Sequence, residues 1–496
     1  MTYRELLAGN ADFRRLWMGQ VVSEVGDWLN NIAVLALVIQ LAGAGSVGLA
    51  VATYAIARHL PLFLFGPVAG VVVDRASRRR VMIAADVARA VLALGFLLAN
   101  RSGSLAVIYV VGASLFSVSA FFNAAKRASI PNLVGPTEEL LAANSLSAST
   151  TAATIAVGSA LGGVIATALG RDTVFVLNAL TFLASAEMIR RIRAATRGLK
   201  DGETGRRGDG ETGRVGDGES GRLGDGGTGR YPATPGPDRR VDGFVVAPSS
   251  VPPSLSPSPR LPLSPSPRPP IFLSLLRRSA SDFAEGLRYV RRDPVLLAVF
   301  VVAAGWGLGN GAARALYSIF GARLGEQAAA VWGASVGMVA ERPTDFGISV
   351  LFVAMGLGGV LGAPLARRFN SGAAEGLGAR MGRSLVLDGC GLLVFSLTPS
   401  LFGAAFVLVA REVNFAIWWT AQQTLMMRRT EDAVAGRVFA SYETLTTLMM
   451  VGSMLVSGAA ADRLGIRAVA ACAGGVVMLS GLSWFVLRRR GGVGGE

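Results

Sequence analysis

The sequence predicts an all-α membrane protein with twelve transmembrane helices in two pseudo-symmetric six-helix bundles. Three observations predict it. The 496 residues are 51% apolar and only 16% charged, with mean hydropathy +0.48, a balance that does not fit a water-facing surface. Apolar runs long enough to cross about 30 Å of hydrocarbon at ~1.5 Å per residue occur six times before residue 190 and six times after 294. Between the two sets the composition changes abruptly to Gly, Pro and Ser.

The predicted spans are roughly 16–41, 46–73, 81–100, 104–125, 141–168 and 173–189, then 295–320, 346–366, 384–399, 401–427, 438–461 and 466–487. They are too long for barrel strands and lack strict alternation, so helices must satisfy the backbone internally. The first run follows Arg14 and Arg15 and exceeds a signal peptide in length, so it is expected to remain as a span. Residues 1–193 form the first predicted bundle and 294–490 the second, with a short tail at 491–496. Residues 194–270 read as a disordered linker, because the repeated GDGETGRV and GDGESGRL units and the SLSPSPRLPLSPSPRPP stretch cannot bury enough apolar surface to offset chain entropy. Residues 271–293 show apolar spacing interleaved with arginines, as in an amphipathic interfacial helix leading into the seventh span.

A net charge of +15 would also fit a nucleic-acid binder, but its distribution excludes that class. With the N-terminus inside, 29 basic residues fall on the cytoplasmic side and six outside (Arg101, Arg171, Arg323, Arg342, Arg463, Arg467). Short basic loops stay in the cytoplasm, so both termini are expected there; the expected location is a plasma (inner) membrane. The partners expected are the lipid bilayer and a small-molecule substrate, not nucleic acid, and the protein is expected to be monomeric. Cys390 and Cys472 lie in apolar runs and His59 is the lone histidine, so no metal site or disulfide framework is expected. No Gly-rich loop ending in Gly-Lys-Ser/Thr supports direct ATP drive.

The halves match at a nearly constant offset: Gly70 and Arg75 with Gly362 and Arg367, and Gly158, Ser159 and Leu161 with Gly452, Ser453 and Leu455. Paired six-helix halves are the layout of a transporter whose site lies between them near the midplane. The loop after the second span, GVVVDRASRRR, carries Gly70, Asp74, Arg75, Arg78 and Arg79. It resembles the signature G-x-x-x-D-R-x-G-R-R of the major facilitator superfamily, with Ser77 in place of glycine. The resemblance implies a conformational lock in this loop, and we expect Asp86 and Arg89 of the third span to support it; Ala366 at the Asp74-equivalent position implies no matching lock in the second half. KRASIPNLVGPTEELLAANSL (126–146) and GRVFASYETL (436–445) resemble loops of the branch containing enterobactin exporters and drug-efflux proteins, which implies export. GSALGG (158–163) resembles the antiporter motif G-P-x-L-G-G, which makes Gly158, Gly162 and Gly163 a candidate hinge or seal.

Ionisable groups within spans are costly and mark function. Those picked out are Glu24, Asp27, Arg58, His59, Asp86, Arg89, Arg314, Arg411 and Glu412. Asp27 and Arg58 lie at depths of roughly 21 and 18 Å from the outer turn, so they are candidates for a facing pair, either structural or proton-coupling, with Glu412 as a second coupling group. No cofactor is expected beyond a proton gradient as energy source. In this superfamily spans one, four, seven and ten line the cavity, which here nominates Gln20, Asn30, Asn31, Asn123, Asn310, Asn414, Trp418 and Gln422. The expectation is a proton-coupled exporter of amphipathic small molecules, such as drugs or siderophores, by alternating access. An importer of the same fold or a non-transporting membrane sensor stays open, whereas a membrane enzyme lacks the clustered acids or nucleophile it would need.

Overall fold

A computed structural model describes residues 2–43, 45–135, 138–193, 281, 283–332, 341–370 and 376–490. The predicted linker, residues 271–280 and 282 of the predicted interfacial helix and the tail 491–496 lie outside the described residues. The first half comprises α1 (Tyr3–Gly9), α2 (Ala11–Leu41), α3 (Val47–Arg75), α4 (Arg78–Ser102), α5 (Leu105–Leu133), α6 (Glu138–Leu169) and α7 (Arg171–Arg190). The second comprises α8 (Pro294–Trp332), α9 (Pro343–Asn370), α10 (Leu377–Leu397), α11 (Leu401–Arg429), α12 (Asp432–Leu464) and α13 (Ile466–Arg490).

The twelve long helices α2 to α13 coincide with the twelve predicted runs, and eleven of them are long and apolar enough to cross a membrane. The exception, α10, contains Arg380, Arg383 and Asp388 and begins seven residues before its predicted run at 384. Helices generally overrun the apolar stretch, most of all α8, which continues to Trp332 through an alanine-rich segment of high helix propensity. Pro61 and Pro67 in α3, Pro131 in α5 and Pro364 in α9 sit inside continuous helices, as membrane-spanning helices tolerate.

The ends are set by local chemistry. Thr2 and Glu5 form a reciprocal capping box on α1, and accepting the Thr2 N–H and hydroxyl holds the Glu5 carboxyl below its ordinary range. Asn10 caps α2 by accepting from the Phe13 N–H at 2.8 Å. Asp293, just before Pro294, accepts from the Val295 and Leu296 N–H groups at 2.7 and 3.2 Å, so α8 starts with an acidic cap followed by proline. Of the predicted interfacial helix, residues 283–290 are helical, and Glu285 is paired with Arg437 of α12.

In the first half α2 packs on α6 and α7, and α5 on α3 and α4; in the second α8 packs on α12 and α13, and α9 on α11. The halves meet along a seam made chiefly by α6 against α9 and α3 against α12. The internal repeat relates α3 to α9 and α6 to α12, so the two strips of the seam exchange under the pseudo-symmetry. Both strips use small residues. A Cβ on Gly163 would sit 2.1 Å from Ser349 Oγ of α9, and one on Gly48 would sit 2.3 Å from the Gly458 carbonyl of α12. Backbones approach this closely only where side chains are absent.

Candidate functional site

Two cavities lie along the seam. The smaller, about 200 Å³, is walled by Trp28 and Asn31 of α2, Tyr54 and Arg58 of α3, Arg314 and Tyr317 of α8 and Phe352 of α9. The larger, about 520 Å³, shares Arg314 and Met355 with it. It runs past Glu412, Phe415 and Trp419 of α11 toward Ser145, Ala366 and Arg367, at the end where the basic loops lie. Trp28 and Phe352, from opposite bundles, approach to 6.0 Å between ring centroids across the smaller cavity.

At the opposite end the bundles are joined by polar contacts. Arg171 of α7 donates from Nε and Nη2 to the two carboxylate oxygens of fully buried Asp345 at 3.0 and 2.8 Å. Arg342 donates to the Ala166 carbonyl at 2.8 Å, and Asp462 of α12 accepts from the Gly48 and Leu49 N–H groups at 2.7 and 2.9 Å, at the positive end of α3. A polar vestibule of about 740 Å³, lined by Gln40, Arg171, Glu326, Glu341 and Arg342 among others, opens beside this junction.

Charged groups inside each bundle are paired. Asp86 and Arg89 form a buried ion pair within α4, and the Arg89 guanidinium lies 4.0 and 4.4 Å from the ring centroids of Phe122 and Phe182. Asp27 reaches Arg89 at 3.9 Å. Arg411 makes a buried bidentate pair with Asp388, with contacts at 3.1 Å, and donates to the Tyr317 hydroxyl. Glu24 accepts from Gln20, Lys126, Thr151 and Thr154 at 2.9, 3.4, 3.3 and 3.1 Å. Four donors from three helices satisfy one carboxylate within the bundle.

The Major Facilitator Superfamily profile matches residues 16–453. The chain belongs to this superfamily. It is 29% identical over 174 residues to the uncharacterised MFS-type transporter YfiS of Bacillus subtilis (strain 168), covering 35% of this chain and 40% of YfiS. It is 30% identical over 182 residues to BacE of Bacillus amyloliquefaciens, described by name as a bacilysin exporter, covering 36% of this chain and 43% of BacE. The matches thus span less than half the length of either relative. Among solved structures, a bacterial homologue of the human lysosomal transporter Spinster aligns over 96% of this chain and 97% of that chain, with TM-score 0.59 and 12% identity. A mutant of the nucleoside transporter NupG aligns over 95% and 99%, with TM-score 0.58 and 11% identity. At these identities the structural likeness shows the fold alone, and it agrees with the multi-pass membrane architecture of the superfamily.

Several residues nominated from the sequence of this facilitator fall in unexpected places. Asp27 and Arg58 do not pair; Asp27 faces Arg89, while Arg58 donates to Asn31 and lies 4.9 and 5.0 Å from the ring centroids of Trp28 and Phe116. Their depths are similar, but their positions around the axes of α2 and α3 aim each at a different neighbour. Asp86 and Arg89 are buried among α2, α5 and α7 side chains and do not support the Asp74 loop. Asp74 and Arg75 are exposed, and Asp74 has no ion pair among the described residues. Arg78 donates to the Ala128 carbonyl at 2.6 Å and Arg79 to the Arg190 carbonyl, so this loop clamps α5 and α7 of its own bundle.

Of the nominated cavity residues, Asn31 lines the smaller cavity, and Gln20, Asn30, Asn123, Asn310, Asn414, Trp418 and Gln422 line neither of the two. Gln20 serves Glu24, and Asn414 donates to the Ser384 carbonyl at 2.7 Å. Trp418 packs against Trp306 in a tilted arrangement with ring centroids 4.7 Å apart, and Gln422 is fully buried. Gly158 and Gly162 seat α6 against Val25 and Leu29 of α2 inside the first bundle, whereas Gly163 faces the other bundle. Asp388 is absent from the residues nominated above, although an acid within a predicted span is a signal the sequence offers. Arg171, Asp345 and Asp462 carried none, since as loop and helix-end charges they resemble topogenic residues.

Proposed function

We propose that this facilitator is a proton-coupled exporter of amphipathic small molecules, working by alternating access in a plasma membrane with its termini in the cytoplasm. The observation that carries the reading is the seam cavity, which extends toward the basic end while the Arg171–Asp345 ion pair and hydrogen bonds to backbone groups join the bundles at the other. Charge asymmetry makes that basic end cytoplasmic, so the cavity faces the compartment from which an exporter loads. Sequence similarity to a protein named for export of bacilysin supports the direction.

Glu412 lines the cavity together with Arg314, and neither makes an ion pair or hydrogen bond among the described residues. A carboxylate on the seam cavity, free to bind a proton and sharing that wall with the Arg314 guanidinium of its own bundle, is the group best placed to couple proton movement to the rocking of the bundles. Asp27, held by the Arg89 network, is a second candidate coupling group. The lock loop takes the complementary role, its Asp74 exposed when the basic end is open and engaged when that end closes. Inverted vesicles with an imposed proton gradient and a panel of fluorescent dyes and siderophores test this. Proton-driven uptake that falls to the level of an Asp74→Asn control in Glu412→Gln is expected, and undiminished uptake in both Glu412→Gln and Asp27→Asn contradicts it.

A further inference from the structure

The smaller seam cavity has an unbalanced wall. It holds two guanidiniums, Arg58 from the first bundle and Arg314 from the second, and no carboxylate. Arg58 donates to the neutral Asn31 amide oxygen and lies over two aromatic faces, and Arg314 has no hydrogen bond or ion pair among the described residues; Asp27 and Glu412 act on them electrostatically from beyond ion-pair distance. Asp27 does not line this cavity and faces Arg89, and Glu412 lies on the wall of the larger one. Two like charges on facing walls of a membrane-embedded cavity repel and are poorly solvated unless an anion sits between them. Paired guanidiniums match a carboxylate or a similar planar oxyanion.

The rest of the wall selects the kind of anion. Trp28, Tyr54, Val51, Phe352 and Met454 surround the arginines with apolar and aromatic surface. A small inorganic anion would leave that surface unfilled, whereas an organic anion fills it and extends its body past Met355 into the larger cavity. We propose that Arg58 and Arg314 together form the subsite for an organic anion, the substrate's acidic group being clamped between one arginine of each bundle. The inference names the substrate class of the exporter proposed above and rests on that reading. Because the clamp takes one residue from each half, the anion also draws the halves together around itself.

The test uses the purified full-length protein in micelles and the matched probes naphthylacetate and naphthylethylammonium, with chloride and sulfate as inorganic controls. Thermal stabilisation by a ligand reports binding to the folded state. The expected result is stabilisation by naphthylacetate alone, about tenfold or more weakened in Arg58→Gln and in Arg314→Gln and partly retained in Arg58→Lys and Arg314→Lys. The lysine variants and the unliganded melting temperatures separate loss of the subsite from loss of the fold. Equal or stronger stabilisation by naphthylethylammonium, equal stabilisation by chloride or sulfate, or unchanged naphthylacetate binding in both glutamine variants overturns the proposal. Proton-driven uptake of the ammonium probe with the carboxylate refused removes the anion subsite and leaves export standing. Carboxylate binding without proton-driven uptake of any compound does the reverse.

Discussion

The interior of each bundle and the seam between the bundles treat buried charge in opposite ways. Inside the bundles charge is neutralised locally: Asp86 with Arg89, Asp388 with Arg411, Glu24 with Lys126. Along the seam cavities, Arg58, Arg314 and Glu412 have no carboxylate or guanidinium within ion-pair distance among the described residues. A charge paired within one rigid body keeps its partner throughout a rocking motion, whereas a charge at the seam meets different surroundings in each state. The first arrangement suits stability and the second suits coupling to substrate and proton.

The sharpest way to break the contrast is to remove one member of an interior pair. Arg411→Ala leaves Asp388 buried without its bidentate partner and is expected to cost about 3–5 kcal/mol, read as a large fall in melting temperature. Replacing both residues with apolar ones (Asp388→Leu with Arg411→Met) is expected to recover most of that loss. Next comes packing at the seam. Gly163→Val puts carbon where Ser349 stands, so a cost of about 1–3 kcal/mol and a wider separation of α6 from α9 are expected; spin-label distances between the two helices measure it.

A smaller effect is expected at the junction opposite the basic loops. Asp345→Asn weakens the bidentate hold of Arg171 and is expected to shift the conformational balance by about 1–3 kcal/mol toward opening at that end. Labels at Ser102 and Pro399, in a background lacking Cys390 and Cys472, should then report longer distances, while labels at Arg80 and Arg428 report shorter ones. The smallest effect is expected at Gly70 and Gly452, where an added Cβ meets nothing within 4 Å. Gly70→Ala and Gly452→Ala should leave the melting temperature unchanged or raise stability by under ~1 kcal/mol. Their repeat partners Gly362 and Gly158 are tightly packed against Ala416 and against Val25 and Trp28, so alanine there should destabilise. The glycine repeat therefore marks the topology of the halves without marking equivalent contacts.

The twelve-helix fold was legible because bilayer thickness imposes a length on every apolar run, and charge asymmetry marks which loops share a side. Helix ends were less legible, since Arg380 and Arg383 continue α10 beyond the apolar run. The candidate site was half visible. The predicted spans put Asp27, Arg58 and Glu412 within the membrane, but rotation about the helix axis decides whether such a group meets its own bundle or the seam, and the sequence holds no direct record of that angle. Amides illustrate the same limit, with Asn31 at the cavity and Gln20 serving Glu24 inside the bundle. Arg171 and Asp345 are 174 residues apart on opposite halves, so their contact follows only from the docking of the bundles.

Arg411 and Glu412 are adjacent in the chain and fall on opposite sides of the contrast, Arg411 in an interior pair and Glu412 on the seam cavity. Measuring melting temperature and proton-driven transport for Arg411→Gln and Glu412→Gln side by side tests the central claim most directly. The prediction is a destabilised Arg411→Gln and a Glu412→Gln that melts like the parent but no longer couples transport to the proton gradient. A Glu412→Gln protein that transports like the parent under the same gradient would contradict it.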